Sequence, residues 1–427
     1  MIDGKPRLNI AFIGPSCSGK THLLSHLFKK LEDLDAKNAK ILRKIDTSDF
    51  SPYLYRDHHK WKNKGAELYQ LSMEKYNFTM IDTPGRINFY NQTIKSIHLA
   101  VILADYVILV IPSLIRKLNT LNTIYGEEIY YSLIANLLGT KQNIICVSKF
   151  DEFSTKNSQF EFEDIKKDLK KCIKTIDGSL DNMLFIPTSV LKDYNILKPS
   201  PELNWYKDPT LLEALHNIPQ PVRYKDKPLR MIIYKIINTR GYGKVFCGRI
   251  VSGTLKNGQS TIFAPSGISR IVRSIEIFKN KVDVAFDGDV IGFTVANISF
   301  DVLKKGFVVS DVLCDPAKQC ECFSAEIQII DHPSKIFAGY TPVLNIHTSR
   351  FPCRFEIMQR IFDRKTGALI EERPEYLRNG DSAIVVMVPV KPLCVETYAD
   401  YPKLGRFIVT DMGKIIAVGN VKEVLNV

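Results

Sequence analysis

The sequence predicts an α/β domain, with a mostly parallel sheet and helices on both faces, followed by two all-β barrel domains. Three observations carry that expectation. Apolar strand-like runs alternate with helical spacing in the first half. A proline-bearing segment at residues 217–228, with Pro219, Pro221 and Pro228, interrupts the pattern. Short strand-like runs parted by glycine turns fill the rest. The expected domains are residues 1–222, 228–316 and 323–427, with the weaker second break at residues 314–323.

Residues 8–13 form a continuous apolar run ending in glycine, as a strand buried on both faces does. Residues 21–34 place Leu23, Leu24, Leu27 and Leu31 at helical spacing. Residues 78–81, 106–111 and 144–147 read as further strands, and residues 127–138 and 161–176 as helices between them. In the second half, Asn257-Gly258, Asp287-Gly288 and Asn379-Gly380 are the hairpin-turn signals. No internal repeat or low-complexity segment interrupts the chain.

Of 427 residues, 45% are hydrophobic and 24% charged, an ordinary globular balance. The formal charge of +12 favours an acidic partner, nucleic acid or an anionic surface, over a basic chain with no such partner. The nine cysteines show no paired framework. The apolar run at residues 102–112 is too short to cross a bilayer, and the N-terminus carries no long apolar signal region. These features predict a monomeric cytoplasmic protein with free thiols and no membrane partner.

The strongest motif is Gly14-Pro15-Ser16-Cys17-Ser18-Gly19-Lys20-Thr21, which fits the phosphate-binding pattern G-x-x-x-x-G-K-[ST] between a strand and a helix. Its backbone N–H groups can wrap phosphate at a helix N-terminus, Lys20 can reach the β and γ phosphates, and the Thr21 hydroxyl can ligate Mg²⁺. Asp82-Thr83-Pro84-Gly85 follows the strand at 78–81. There Asp82 would hold Mg²⁺ and the Gly85 N–H would approach the γ phosphate. Ser148-Lys149-Phe150-Asp151 follows the strand at 144–147. Asp151 can accept from both guanine donors, and the Lys149 stem can lie over the base; adenine offers no such donor pair. Pro187-Thr188-Ser189, with Val190 and Leu191, would add backbone contacts to the base. Together these make the first domain a P-loop GTPase domain binding GTP or GDP with Mg²⁺. A chance turn at residues 14–21 and a polar turn at 148–151 are the plainer alternatives.

These residues in this order resemble the translational GTPases, and the second half narrows the resemblance to the elongation factor 1-alpha family. Asp331-His332-Pro333, Gly339 through Leu344, His347-Thr348 and Cys353-Arg354-Phe355 look like that family's third domain. So do Met387-Val388-Pro389, Lys391 through Glu396 and Asp400 through Phe407. Gly248-Arg249, Ser252 through Gly258 and Gly292-Phe293 match its second domain. The resemblance implies a factor that delivers aminoacyl-tRNA to the ribosomal A site and works with a guanine-nucleotide exchange factor.

The chain departs from the family where catalysis is expected. Arg86 stands where the family has a histidine that orients the attacking water. No R-G-I-T-type stretch with the first-switch threonine lies between residues 22 and 76, the nearest candidate being Lys64-Gly65-Ala66-Glu67. Cys17 replaces an aspartate and Ser148 an asparagine. The second domain reads Gly288-Asp289-Val290-Ile291-Gly292, and the segment at residues 89–105 exceeds the family spacing by about one helical turn. Arg86 is thus the catalytic candidate, as an internal arginine finger, with slowed hydrolysis expected. The competing expectation is a paralogue that holds GTP or GDP with little turnover and regulates the ribosome or another partner. Cys314, Cys320 and Cys322 read as thiols rather than a metal site, and His58 and His59, among Arg56, Lys60, Lys62 and Lys64, as a solvated or RNA-facing surface.

Overall fold

A computed structural model describes residues 5–15, 17–34, 67–73, 75–83, 90–113, 143–153, 158–176, 183–239, 243–278, 280–296, 303–363, 366–412 and 414–425. The expected helix at 127–138, the basic segment with His58 and His59, the Lys64-Gly65-Ala66 candidate, and Ser16, Pro84, Gly85 and Arg86 lie outside these residues. The chain divides into two compact units, Met1–Val222 and Arg223–Val427.

The first unit is built on a six-stranded sheet. Its strands are β1 (Arg7–Ile13), β2 (Glu67–Ser72), β3 (Asn77–Asp82), β4 (Tyr106–Pro112), β5 (Asn143–Ser148) and β6 (Leu184–Pro187), in the order β2-β3-β1-β4-β5-β6. All neighbours are parallel except β2, which pairs antiparallel with β3 at the edge. Helices α1 (Lys20–Leu34), α2 (Tyr90–Leu103), α3 (Ser158–Ile176) and α4 (Leu211–His216) and two short 3-10 turns, Phe150–Glu152 and Pro201–Leu203, accompany the sheet. Residues 8–13 are all buried, which is why β1 can sit in the middle of the sheet. The chain leaves β1 to build β3 on one side and then β4 on the other. That reversal opens a crevice at the carboxyl end of β1, the usual ligand position in an open α/β sheet.

The apolar run at 102–112 resolves into the end of α2, a turn, and β4. Asp105 shapes the turn: its Oδ2 accepts from the Asn9 N–H at 2.9 Å, and its own N–H donates to Asn9 O at 2.7 Å. Among the described residues, no helix is long and apolar enough to cross a membrane. Helix α4 is only six residues long and rests on a capping box: Thr210 Oγ1 accepts from Glu213 N at 3.3 Å, and Thr210 N donates to Glu213 Oε2 at 2.8 Å.

The second unit holds two antiparallel barrels. The first comprises β7 (Arg230–Thr239), β8 (Gly243–Ser252), β9 (Thr254–Lys256), β10 (Ser260–Ala264), β11 (Ile268–Ile277), β12 (Asn280–Val282), β13 (Val284–Phe286), β14 (Val290–Val295) and β15 (Val308–Asp311). Its strands run β10-β15-β7-β8-β14-β11, and pairing of β10 with β11 closes the ring. Phe246, Phe263 and Phe293 pack in its centre with ring centroids 5.5–6.3 Å apart.

The second barrel comprises β16 (Cys322–Ile329), β17 (Ile336–Phe337), β18 (Val343–Ile346), β19 (Ser349–Phe362), β20 (Leu369–Glu372), β21 (Tyr376–Leu377), β22 (Ser382–Pro389), β23 (Arg406–Asp411) and β24 (Lys414–Leu425). The order β18-β23-β24-β16-β22-β19 closes through β18 and β19. Closure satisfies the backbone groups that an open sheet would leave at its edges. The three turn glycines, Gly258, Gly288 and Gly380, all take positive φ, between 80° and 91°, as their hairpin positions require. Cys320 and Cys322 are buried, and the Cys320 thiol points at Cys322 O at 3.2 Å.

Arg230 joins the barrels. Its side chain is 2% exposed; Nε donates to Glu396 Oε1 at 2.5 Å and Nη2 to Asp315 Oδ2 at 2.8 Å. Nη1 donates to Asp315 O at 2.8 Å, and the guanidinium lies 4.7 Å from the Tyr401 ring centre. Thr348 Oγ1 adds a bond to Ile233 O at 2.8 Å.

His347, at the β18–β19 turn, is buried and sits at φ 52°. Its Nε2–H donates to Cys394 O at 2.9 Å, while Nδ1 has no hydrogen-bond partner among the described residues. Burial pushes its pKa down to about 4, against a small upward pull from the Cys394 carbonyl. The unfolded chain, with pKa near 6.5, therefore takes up this proton first as pH falls. The stability it contributes is present above about pH 6.5 and is lost progressively down to about pH 4. Urea unfolding followed by circular dichroism should show a loss of about 2 kcal/mol from this group between pH 7 and pH 5. His347→Asn should be less stable than wild type at pH 7, with the gap narrowing toward pH 5. A gap that stays constant with pH would contradict this account.

Candidate nucleotide site

The site begins where β1 ends. Gly14 stands at φ 150°, and a Cβ there would lie 2.1 Å from Val110 O on β4, so no larger residue fits. The loop then turns through Cys17, exposed and left-handed at φ 59°, before α1 starts at Lys20. Aspartate or asparagine tolerates that conformation better than cysteine does. Lys20 is 5% exposed. Its ammonium donates to Gly14 O and Pro15 O, each at 2.8 Å, and to Ser18 Oγ at 3.3 Å. The loop carbonyls thus hold the cation in the middle of the turn, on the helix N-terminal side where anions are favoured.

Thr21 and Asp82 meet although 61 positions apart: Thr21 Oγ1 donates to Asp82 Oδ2 at 2.6 Å. Parallel pairing sets this contact, because Phe12 lies opposite Asp82 in the β1–β3 register. Thr83 Oγ1 donates to Phe12 O at 2.7 Å and fixes the exit of β3 against β1. A hydroxyl and a carboxylate side by side form an oxygen donor set of the kind Mg²⁺ takes, together with waters and phosphate oxygens.

The residues expected to face the base gather at the ends of β5 and β6. Ser148 Oγ lies 2.6 Å from Ser18 O and 3.1 Å from Ile111 O. A serine hydroxyl carries one hydrogen, so it donates to one of these at a time, and the shorter contact ties β5 to the phosphate loop. Lys149 is exposed and left-handed at φ 56°, and its carbonyl accepts from Ser113 Oγ at 2.8 Å. Asp151 Oδ1 accepts from Ser189 Oγ, which in turn accepts from Lys192 N at 3.1 Å. Phe150 N donates to Thr188 O at 3.1 Å, so the two loops run together. Phe150 is buried against Phe162 and Trp205 and anchors the segment from below. Val190 is half-buried and Leu191 is 85% exposed at the outer face of the loop.

The structure therefore brings together Gly14, Pro15, Ser18, Lys20 and Ser148 as one bonded set, Thr21 with Asp82 as a second, and Asp151 with Ser189 as a third. Ser16, Gly85 and Arg86, the catalytic candidate, fall outside the described residues. Sequence reading missed Ser113 and the tie from Asp193 to α1, where His26 Nε2 and Lys30 Nζ approach its carboxylate at 2.9 and 2.8 Å. No local pattern marks a contact spanning 167 positions.

Known proteins match the chain along nearly its whole length. The elongation factor Tu GTP-binding domain family matches residues 5–221, elongation factor Tu domain 2 matches 243–310, and the elongation factor 1-alpha C-terminal domain-like family matches 322–422. Elongation factor 1-alpha of Entamoeba histolytica is 37% identical over 98% of this chain and 96% of its own length. That of Tetrahymena pyriformis is 34% identical over 98% of both. In fold, the chain is similar to the GTP-bound Ski7 GTPase-like domain of S. cerevisiae, with TM-score 0.74, 20% identity and 98% of each chain covered. It is also similar to the elongation factor SelB of Methanococcus maripaludis bound to a GTP analogue, with TM-score 0.69, 18% identity, and 99% of this chain and 80% of that one covered. With these matches along nearly its whole length, the chain belongs to the elongation factor 1-alpha family of translational GTPases.

Proposed function

We propose that this protein is a guanine-nucleotide-dependent elongation factor that carries aminoacyl-tRNA to the ribosomal A site in the cytoplasm and hydrolyses GTP slowly. The observation that carries the reading is the 98% coverage by an elongation factor 1-alpha relative, which takes in both barrels as well as the nucleotide domain. In this reading Lys20 neutralises the β and γ phosphates, and Asp151 accepts from the guanine ring. The Ser189, Val190 and Leu191 backbone borders the base. Thr21 and Asp82 hold Mg²⁺, which when bound offsets charge on the phosphoryl oxygens. The +12 charge suits a partner made of RNA, and an exchange factor would reset the GDP state. One observation favours a second reading, a nucleotide-holding paralogue that regulates the ribosome: Arg86 stands where the family's water-orienting histidine is expected.

The base contact is tested by Asp151→Asn. The substitution reverses one donor–acceptor pair, so GTP should weaken by about 100-fold while xanthosine triphosphate gains. Equal affinity of the unaltered protein for ATP and GTP would refute the guanine assignment.

Aminoacyl-tRNA retention on filters should be stronger with GTP than with GDP. It should also fall steeply as salt rises from about 50 to about 200 mM, because Lys and Arg contacts to phosphate release counterions. Equal retention with both nucleotides would favour the regulatory paralogue.

Hydrolysis should be slow. A guanidinium has donors only and cannot accept from water as a neutral imidazole does. Loss of a water-orienting group costs a factor of about 100, or about 2.7 kcal/mol. Single-turnover hydrolysis with ribosomes should therefore run about 100-fold below a standard elongation factor, and Arg86→His should restore only part of it. A wild-type rate equal to the standard would show that Arg86 or another group does this work.

A further inference from the structure

Among the described residues, an inner and an outer bridge link the two sides of the nucleotide site. The inner bridge is Ser148, buried, reaching Ser18 O of the phosphate loop. It is a slender link, because the single hydroxyl hydrogen is shared between Ser18 O and Ile111 O, where an asparagine amide could serve both. The outer bridge lies further along α1. His26 and Lys30 are four residues apart and so share one face of the helix that starts at Lys20. Both grip the same carboxylate: His26 Nε2 lies 2.9 Å from Asp193 Oδ1, and Lys30 Nζ lies 2.8 Å from Asp193 Oδ2.

Asp193 is held by its own loop as well. It takes φ 59° and Asn195 takes φ 50°, so the chain turns sharply on either side of Tyr194. Backbone bonds between Ser189 and Tyr194, at 3.0 and 3.4 Å, close residues 189–194 into a ring. Inside the ring, Ser189 Oγ donates to Asp151 and accepts from Lys192 N. A displacement of Asp193 is therefore carried to Ser189 and Asp151. Helix α1 begins at Lys20 and Thr21, so the bridge ends on the element that opens the phosphate side of the site. Burial pushes the Asp193 carboxyl up, but Lys30 and His26 outweigh it and hold the carboxyl below its usual range.

We propose that His26, Lys30 and Asp193 form a positioning clamp that locks the base-side loop to the phosphate-side helix and sets how long a guanine nucleotide stays bound. The proposal rests on the guanine-nucleotide reading of the site given above. Asp193 is 41% and Lys30 38% exposed, so the clamp is of moderate strength and can be opened from outside. A partner carrying a carboxylate or a cation that competes for either half would speed release without touching the nucleotide.

The test measures release of a fluorescent GDP analogue from the full chain, chased with unlabelled GDP. Asp193→Asn keeps the size of the side chain and tolerates the left-handed turn while removing the charge. Release should quicken by about three- to tenfold. The double variant His26→Gln with Lys30→Gln should quicken it to the same extent, and combining all three should add little, because both routes break one interaction. Exchanging the charges in Lys30→Asp with Asp193→Lys should recover part of the wild-type lifetime. Affinity for inorganic pyrophosphate, which engages the phosphate loop alone, should stay unchanged in every variant. Release rates in both Asp193→Asn and the double variant within twofold of wild type would overturn the clamp. So would a parallel fall in pyrophosphate affinity, which would mark general damage. Failure of the unaltered protein to retain GDP would overturn the guanine-nucleotide reading along with the clamp, whereas wild-type retention with unaltered variants would sink the clamp only.

Discussion

A buried ammonium must be surrounded by acceptors, and the first unit is arranged to meet that demand at Lys20. Its two carbonyl partners, Gly14 and Pro15, belong to the turn that leaves β1. Their placement requires Gly14 to press against Val110 O, which in turn requires β4 to lie beside β1. The β3 neighbour on the other side delivers Asp82 to Thr21. Strand order, loop conformation and side-chain contact are thus one constraint seen at three scales. The cost of desolvating the cation is offset in part by charge-assisted bonds to the carbonyls of Gly14 and Pro15.

The base side follows another logic. Ser148, Asp151 and Ser189 sit on loops after β5 and β6, and those loops are fixed by backbone bonds such as Phe150 N to Thr188 O and Thr188 N to Val147 O. The aromatic group of Phe150, Phe162, Trp205 and Tyr206 beneath them supplies a rigid floor. Polar groups that are to recognise a heterocycle must be held still, and apolar packing underneath these residues restrains them.

The fold was legible wherever one local signal dominated. The all-apolar β1, the periodic leucines of α1 and the Asn-Gly and Asp-Gly turns each state their structure within a few residues. Strand β2 was not legible: it is an edge strand, and buried Gln70 among Leu68 and Leu71 breaks any clean alternation. Helix α4 is too short for periodicity, though the spacing of Thr210 and Glu213 signals its start. The phosphate and base motifs announced their residue types, but not their connections. That Ser148 hands its hydrogen to Ser18, or that Asp193 reaches α1, depends on tertiary placement that no short window contains.

The Arg230 network bears on how the two barrels meet any ligand. One guanidinium bonds to Asp315 and Glu396 and faces Tyr401, with Thr348 adding a backbone tie nearby. A surface formed jointly by the two barrels is therefore pre-organised: its spacing is settled when the protein folds. A long polyanion touching both would lose its own freedom on binding but would not have to restrain the protein's, so a larger share of the contact energy appears as affinity. The same stiffness makes the spacing selective, since a ligand of the wrong width must bend to fit.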